Sequence, residues 1–581
     1  MRKLKVDNAN NHPVASCEAV DGRIMKLSER LGSRMTLEDK VGQLFLVGIR
    51  GTSISEESRA IVEDLRIGGV YLTNANMASP SRVASMTSDL QRTARRMDCA
   101  IPLLIACDHE GHWVVLSPYS CPGPGNLGLG AVRSPSATGR IYSIYASELR
   151  AVGINVDLAP VADVNSNPGN PIIGSRSFGQ NPKAVGLRVR AAVRALQRGG
   201  IISAIKHFPG HGNTSTDSHS GLPRVSRPEK EIRKVDLPPF ESGVAGGAEL
   251  VMTSHIIFDA LDPGVPATFS SAILGGILRD RMRFTGVVLT DSMNMGAIVK
   301  AYDPEESCVK ALRAGADMIL LAQEQYDAPM EDFQESYSRK IDAVIKAVDA
   351  GRLEAGLVDK SVRRILALKR KYDLFRRRPS TPSMAEVTVG SPRHRQTELE
   401  ICRMAVAVLK NDGTMPLRLK ESESVSLVNP VRPESYALLG RTRGIGPNLG
   451  PIIPFKLLSG EVRRRHANTL EFWINDHTPR IDEELAKLKE LSDLIVVVTE
   501  KHNLPGFVFD DVGQAKVVRL ACGIGRPVVV VGLRDPCEFA RMGPVNSYIC
   551  AFSARPPSIV GAVEVLFGER KSRGFSPVSL N

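Results

Sequence analysis

Residues 206–223, KHFPGHGNTSTDSHSGLP, hold three His, an Asp, a Lys and three Gly directly after the apolar run 200–205. A strand that ends in Lys-His and opens into a Gly/Pro/Ser/Thr loop presents polar groups instead of burying them. Within this loop Asp217 and His219 stand two residues apart, and that spacing leaves two readings open. A loop Asp can close an Asx turn beside a solvated His. Alternatively, its carboxylate can hold the imidazole, fixing the tautomer and raising its basicity. The ring can then give a proton to a leaving oxygen and take one from water. The second candidate is Asp291, in TDSMNMGA after the apolar residues 286–289. At a strand end its carboxylate can act as base, nucleophile or metal ligand, or it can cap a following helix. The His residues are interspersed with Gly instead of sharing a helix face, so metal ligation has little support. Met293 and Met295 read as core or pocket wall.

The elements that must position these groups are short apolar runs alternating with amphipathic stretches. The runs are residues 41–49, 69–73, 102–107, 154–159, 201–205, 250–253, 286–290 and 316–321. Helical patterns fill 81–97, 141–152, 182–198, 270–281 and 304–314. Such alternation predicts parallel βαβ units, and eight near-continuous apolar runs fit a (β/α)8 TIM-like barrel. Val47-Gly48-Ile49-Arg50-Gly51-Thr52 lacks the dinucleotide-binding pattern that an open sheet would carry after its first strand. A barrel places chemistry at the C-terminal strand ends. That rule selects Asp108 and Glu110, Asp163, Lys206 and His207, His255, and Asp291.

The 581 residues exceed one ordinary core. We expect an N-terminal extension at 1–30, a barrel domain at 31–375, a Pro/Ser/Thr-rich linker at 376–396 and a smaller α/β sandwich domain at 397–581. In the last, residues 425–428, 494–499, 527–532 and 548–552 read as strands. A hydrophobic fraction of 43% and a charged fraction of 24% are those of a soluble globular chain. No run is long enough for a transmembrane helix, and the basic N-terminus has no apolar signal region. Nine Cys, mostly in apolar segments, suit reduced thiols and a cytoplasmic location. The net charge of +12 is diffuse apart from Arg376-Arg377-Arg378, with no interleaved aromatics, so neither nucleic acid nor membrane is expected as a partner.

With these motifs in view, the chain resembles the family 3 glycoside hydrolases of the bacterial β-N-acetylglucosaminidase branch. The likeness rests on KHFPGHGNTSTDSHSGLP, VDLAPVADVNSNPGNPIIGSRSFG (156–179), the DxEG at 108–111 and TDSMNMGAI. VAVLKNDGTMPL (406–417) and AVEVLFGE (562–569) extend it through the second domain. The resemblance implies a retaining exo-glycosidase that releases terminal β-linked N-acetylglucosamine from oligosaccharides or glycoconjugates such as peptidoglycan fragments. It implies Asp291 as nucleophile, His219 held by Asp217 as acid/base, and Asp108, Arg176, Lys206 and His207 as holders of sugar hydroxyls. No cofactor or metal is implied, phosphate is an alternative acceptor to water, and the chain is expected as a monomer or homodimer. The rivals are a β-glucosidase, a phosphorylase and a non-catalytic sugar-binding relative. Two departures stand out: Glu110-Gly111-His112-Trp113-Val114 replaces the usual Glu-Gly-Gly-Arg-Val, and Asn213 replaces the Asp that commonly follows Gly-His-Gly. The first is expected to alter what lies beside the cleaved bond, and the second the bonding of the acid/base loop.

Overall fold

A computed structural model describes residues 31–580 except 112, 114, 115, 117, 220, 323–332, 442–452, 505, 506 and 509. The expected extension at 1–30 and His112 therefore lie outside the described residues. Each of the eight apolar runs carries one barrel strand: β1 Phe45–Gly48, β2 Gly69–Leu72, β3 Leu104–Cys107, β4 Val156–Asp157, β5 Ile202–Phe208, β6 Leu250–Thr253, β7 Val287–Ser292 and β8 Met318–Leu321. Each pairs in parallel with its neighbours in sequence, and β8 closes onto β1 with Ile319 opposite Phe45. The expected (β/α)8 barrel is thus the observed one. Every strand residue is buried except Asp291, which is half-buried where β7 reaches the mouth.

Local chemistry sets where the surrounding helices begin and end. Ser79, Asn181 and Asp303 each precede a Pro at the first helical turn, and each side chain accepts a backbone N–H of that turn. Gly247 and Gly315 end their helices at φ +98° and +112°, values that favour glycine. The expected helix over 270–281 forms as a π-helix, Ala272–Arg281, containing Gly275 and Gly276. Two adjacent residues without side chains weaken a regular α-helical turn there.

The second domain is a six-stranded sheet. Its strands are β9 Ala407–Asn411, β10 Val425–Asn429, β11 Thr469–Trp473, β12 Leu494–Thr499, β13 Val528–Gly532 and β14 Ser547–Cys550. They lie in the order β9-β14-β13-β12-β10-β11, and only β9 runs antiparallel. The sequence pattern found the four inner strands and missed the edges β9 and β11. An edge strand is covered on one side only, so it shows no continuous apolar run. The segment expected as a linker carries the helix Pro382–Thr388, whose Glu386 accepts the N–H of Ser81, and the start of the helix Pro392–Ala405. Glu398 on the latter accepts the N–H of Gly123, and Phe575 donates its N–H to the carbonyl of Ala131, so the second domain is bonded directly to the barrel.

The strand that bears Asp291 is anchored from below by Asp317, which precedes β8. This buried carboxylate accepts Val288 N–H at 2.8 Å, Ser361 Oγ–H at 2.9 Å and Arg364 Nη1–H at 2.7 Å, and also pairs with Arg279. Replacing Asp317 with Ala leaves two guanidiniums without their carboxylate and one strand N–H unpaired. We expect D317A to lose about 3 kcal/mol of stability, read as a drop in chemical-denaturation midpoint without a change in slope.

Candidate active site

The C-terminal ends of β3 and β5 build the floor of the site. Glu110, fully buried, accepts Arg176 Nε–H at 2.8 Å and Nη2–H at 2.9 Å and lies 3.0 Å from Lys206 Nζ. Asp108 accepts the Tyr71 hydroxyl at 2.5 Å and a bond from Lys206. Two carboxylates and two cations thus neutralise one another out of solvent. Burial pushes the Glu110 carboxyl up, but Arg176 and Lys206 outweigh it and hold it well below the ordinary range. Burial pushes the Lys206 ammonium down, but Asp108 and Glu110 outweigh it and raise its value.

Asp163, after β4, organises the next layer. Its Oδ2 is 2.7 Å from His207 Nδ1, and its Oδ1 accepts the N–H of both His207 and His211. A carboxylate only accepts, so Nδ1 of His207 bears the proton and Nε2, 3.5 Å from Arg176, faces the pocket side. His211 continues to Thr214 Oγ1 at 2.9 Å and Ser218 Oγ at 3.0 Å. Asn170 donates to the carbonyl of His211 and to Thr214, which clamps the loop after β5 to the β4 loop. The loop's bonding therefore runs through His211, Thr214 and Ser218, and the Asn213 departure sits beside this network.

Asp217 satisfies both readings left open by the sequence. Its Oδ1 accepts the backbone N–H of His219 at 2.9 Å, closing an Asx turn, and lies 2.7 Å from His219 Nδ1. The same oxygen fixes the ring with Nδ1–H turned inward. Asp291 accepts the N–H of Ser292 at 2.8 Å. It caps no helix, because the helix Gly296–Val299 has Met295 at its N-cap. His255 Nε2 lies 2.9 Å from the carbonyl oxygen of Ser292, bracing the residue next to Asp291. Burial raises the Asp291 carboxyl, but His207, His255 and His219, with the Ser292 N–H, outweigh that and hold it below the usual aspartate value. Burial keeps His255 itself below the ordinary imidazole value.

One pocket of about 670 Å³ gathers Asp108, Arg176, Lys206, His207, His219 and Asp291. Of the sequence-selected residues, Glu110, Asp163, Asp217 and His255 are not in its lining; Asp217 reaches it through His219. Trp113, the newcomer in the β3 loop, is 3% exposed and also lines the pocket. Its ring lies 3.6 Å from the Arg176 guanidinium carbon and 6.3 Å from the His219 ring, edge-on. Sequence reading missed Tyr71, His211 and Met252 as wall residues. Tyr71 was concealed in an apolar run, although its position near the C-terminal end of β2 was a usable signal.

This barrel, with its acidic and imidazole side chains at the C-terminal strand ends, is that of a glycoside hydrolase. Residues 36–368 match the family model described as "Glycosyl hydrolase family 3 N terminal domain", and the chain belongs to that family. It is 29% identical to Beta-hexosaminidase A of Pseudoalteromonas piscicida over 563 residues, 91% of this chain and 92% of that one. A Beta-hexosaminidase of Alkalilimnicola ehrlichii is 35% identical over 284 residues, 48% of this chain and 79% of that one. Among solved structures, a family 3 β-N-acetylglucosaminidase from Paenibacillus sp. matches with a TM-score of 0.83 at 30% identity, covering 94% of this chain and 99% of that one.

The floor makes a stability prediction. The Glu110 value is depressed in the folded state, so its stabilisation is present above the unfolded value of about 4.3 and is lost as pH falls below it. E110Q should cost about 3–5 kcal/mol at pH 7. The gap in melting temperature between wild type and variant should narrow as the pH is lowered from 5 towards 3.

Proposed function

We propose that the protein releases terminal β-linked N-acetylglucosamine from oligosaccharides or glycoconjugates, peptidoglycan fragments among them, with retention. The observation that carries the reading is that an Asp-held imidazole, His219, and a carboxylate kept anionic, Asp291, face a single pocket. In the first step an Asp291 oxygen attacks the anomeric carbon while Nε2–H of the His219 imidazolium goes to the departing aglycone oxygen. The sugar is then an ester of Asp291, and His219 is neutral. In the second step water attacks the same carbon and gives its proton to Nε2, which frees the sugar and restores both side chains. Asp217 stabilises the imidazolium and keeps the ring in its tautomer. Asp108, Arg176, Lys206 and His207 are assigned to the sugar hydroxyls, and Trp113 to the wall beside the cleaved bond.

A neutral imidazole does not repel an anion, so phosphate is an alternative acceptor; added phosphate would then divert product from free sugar to sugar 1-phosphate. The eight cysteines among the described residues are free thiols, which supports a reducing, cytoplasmic setting. Assembly as a monomer or homodimer is decided by sedimentation. No helix among the described residues is long and apolar enough to cross a membrane.

The test is hydrolysis of a chromogenic β-N-acetylglucosaminide beside the matching β-glucoside. D291A should lower kcat by about 10³-fold or more while the protein stays folded. Activity on the glucoside alone would overturn the sugar; activity on neither would favour the sugar-binding alternative. H219Q should reduce turnover by about 10²-fold or more with alkyl leaving groups, and by much less with nitrophenol, which needs no proton to leave. Asp291 must be ionised to attack and its value is lowered, so the acid limb of kcat/KM should fall below about pH 3.9.

A further inference from the structure

At the pole of the barrel opposite the pocket, the segment leading to the second domain crosses the N-terminal ends of β3 to β5. A small cleft opens there between the helix Pro80–Arg95, the turn Gly153–Asn155 and residues 374–380. Arg95, Arg377 and Arg378 line it with Ser88, Gln91 and Ser380, and no carboxylate is in the lining. Arg150 adds a fourth cation: its charge, after burial, helps to lower the Arg377 guanidinium to about 10. Among the described residues none of these four arginines is in an ion pair.

Their recorded partners are carbonyl oxygens. Arg95 Nη2 donates to Leu374 at 3.3 Å and Arg377 at 2.5 Å, Arg377 Nη1 to Gly200 at 3.5 Å, and Arg150 Nη1 to Gly199 at 3.3 Å. Carbonyls orient a guanidinium but do not neutralise it. Two donors, Arg95 Nε and Arg377 Nη2, are buried with no hydrogen-bond partner among the described residues. Elsewhere in this barrel clustered cations are matched by carboxylates, as Arg176 and Lys206 are by Glu110 and Asp108. Here no such complement is present among the described residues.

We propose that this cleft is a binding site for a small phosphate dianion, either free phosphate or the phosphate group of a monoester. A tetrahedral oxyanion offers several acceptors and two charges to a cluster rich in guanidinium donors, the geometry at which arginine excels. Bound there, it ties residues 374–380 to the barrel helix and the β4 turn, so it stabilises the seating of the connecting segment without reaching the reacting groups. The inference stands independently of the glycosidase reading.

The experiment is calorimetric titration of the full chain with inorganic phosphate and, separately, glycerol 2-phosphate, against chloride of equal ionic strength. N-acetylglucosamine is present throughout as competitor for the catalytic pocket. The expected result is saturable binding and a melting temperature raised by about 2 °C or more at a hundredfold excess over Kd. R377Q should weaken binding by about tenfold or more, with glycoside turnover within about twofold of wild type. Because R377Q could perturb folding, R378Q, at an exposed position, is the second variant and should weaken binding several-fold. Tighter binding of the monoester points to a phosphorylated metabolite as the source, and tighter binding of phosphate to the free ion. No heat beyond chloride, an unchanged Kd in both variants, or loss of binding to N-acetylglucosamine would overturn the proposal.

Discussion

The mouth of the barrel depends on one electrostatic balance. Glu110 and Asp108 descend from one strand end, Lys206 rises from β5, and Arg176 reaches in from the loop after β4; all four side chains are almost wholly removed from water. Ionised groups in such a place are tolerable only as a neutral, hydrogen-bonded set, because removing one partner strands another in low dielectric. The set therefore fixes the relative positions of three strand ends at once. It also fixes the Arg176 guanidinium, on whose face Trp113 lies, and Trp113 in turn stands beside the ring of His219.

Asp163 extends this order to the loop after β5 that carries Asp217 and His219. One carboxylate holds the β5 end through His207 and the loop through the His211 backbone, and His211 hands the constraint on to Ser218, the residue between Asp217 and His219. A loop rich in Gly, Ser and Thr would otherwise sample many conformations. Burial lowers the His211 ring to about 4, so it remains a neutral hydrogen-bonding spacer near pH 7. The position two residues beyond it, Asn213, carries none of this chain of bonds, which explains how the motif departs there while Asp217 and His219 keep their geometry.

Much of this was legible in the residues alone, for a physical reason. Parallel strands covered on both faces must be apolar throughout, so the eight runs marked the eight strands, and the polar residues ending the third to seventh runs marked the mouth. What did not show was anything decided by three-dimensional pairing. The spacing of Asp217 and His219 could not say whether one oxygen serves the backbone or the ring, and in fact it serves both. The edge strands β9 and β11 are half-covered and carry Lys410, Glu471 and other polar residues, so no apolar run announced them. Nor could the Pro/Ser/Thr-rich stretch at 376–396 reveal that Pro382–Thr388 is a helix seated on the barrel, since Thr381-Pro382 is at once a loop signature and a helix start.

Two aspartates show how environment sorts identical side chains into different roles. Asp157, at the end of β4, is buried where Asp108 and Glu110 already supply negative charge. Burial raises its carboxyl well above the ordinary value despite the His109 N–H and Lys206. It spends its acceptor on the His109 N–H beneath the floor. Asp291 ends β7 on the other side of the mouth, where burial pushes the same way but three imidazoles and one N–H push back harder. The second environment favours the ionised form of a carboxylate that is half-buried and faces the pocket. The role proposed for Asp291 needs those properties, and in this barrel they follow from which charges surround a strand end more than from the residue placed there.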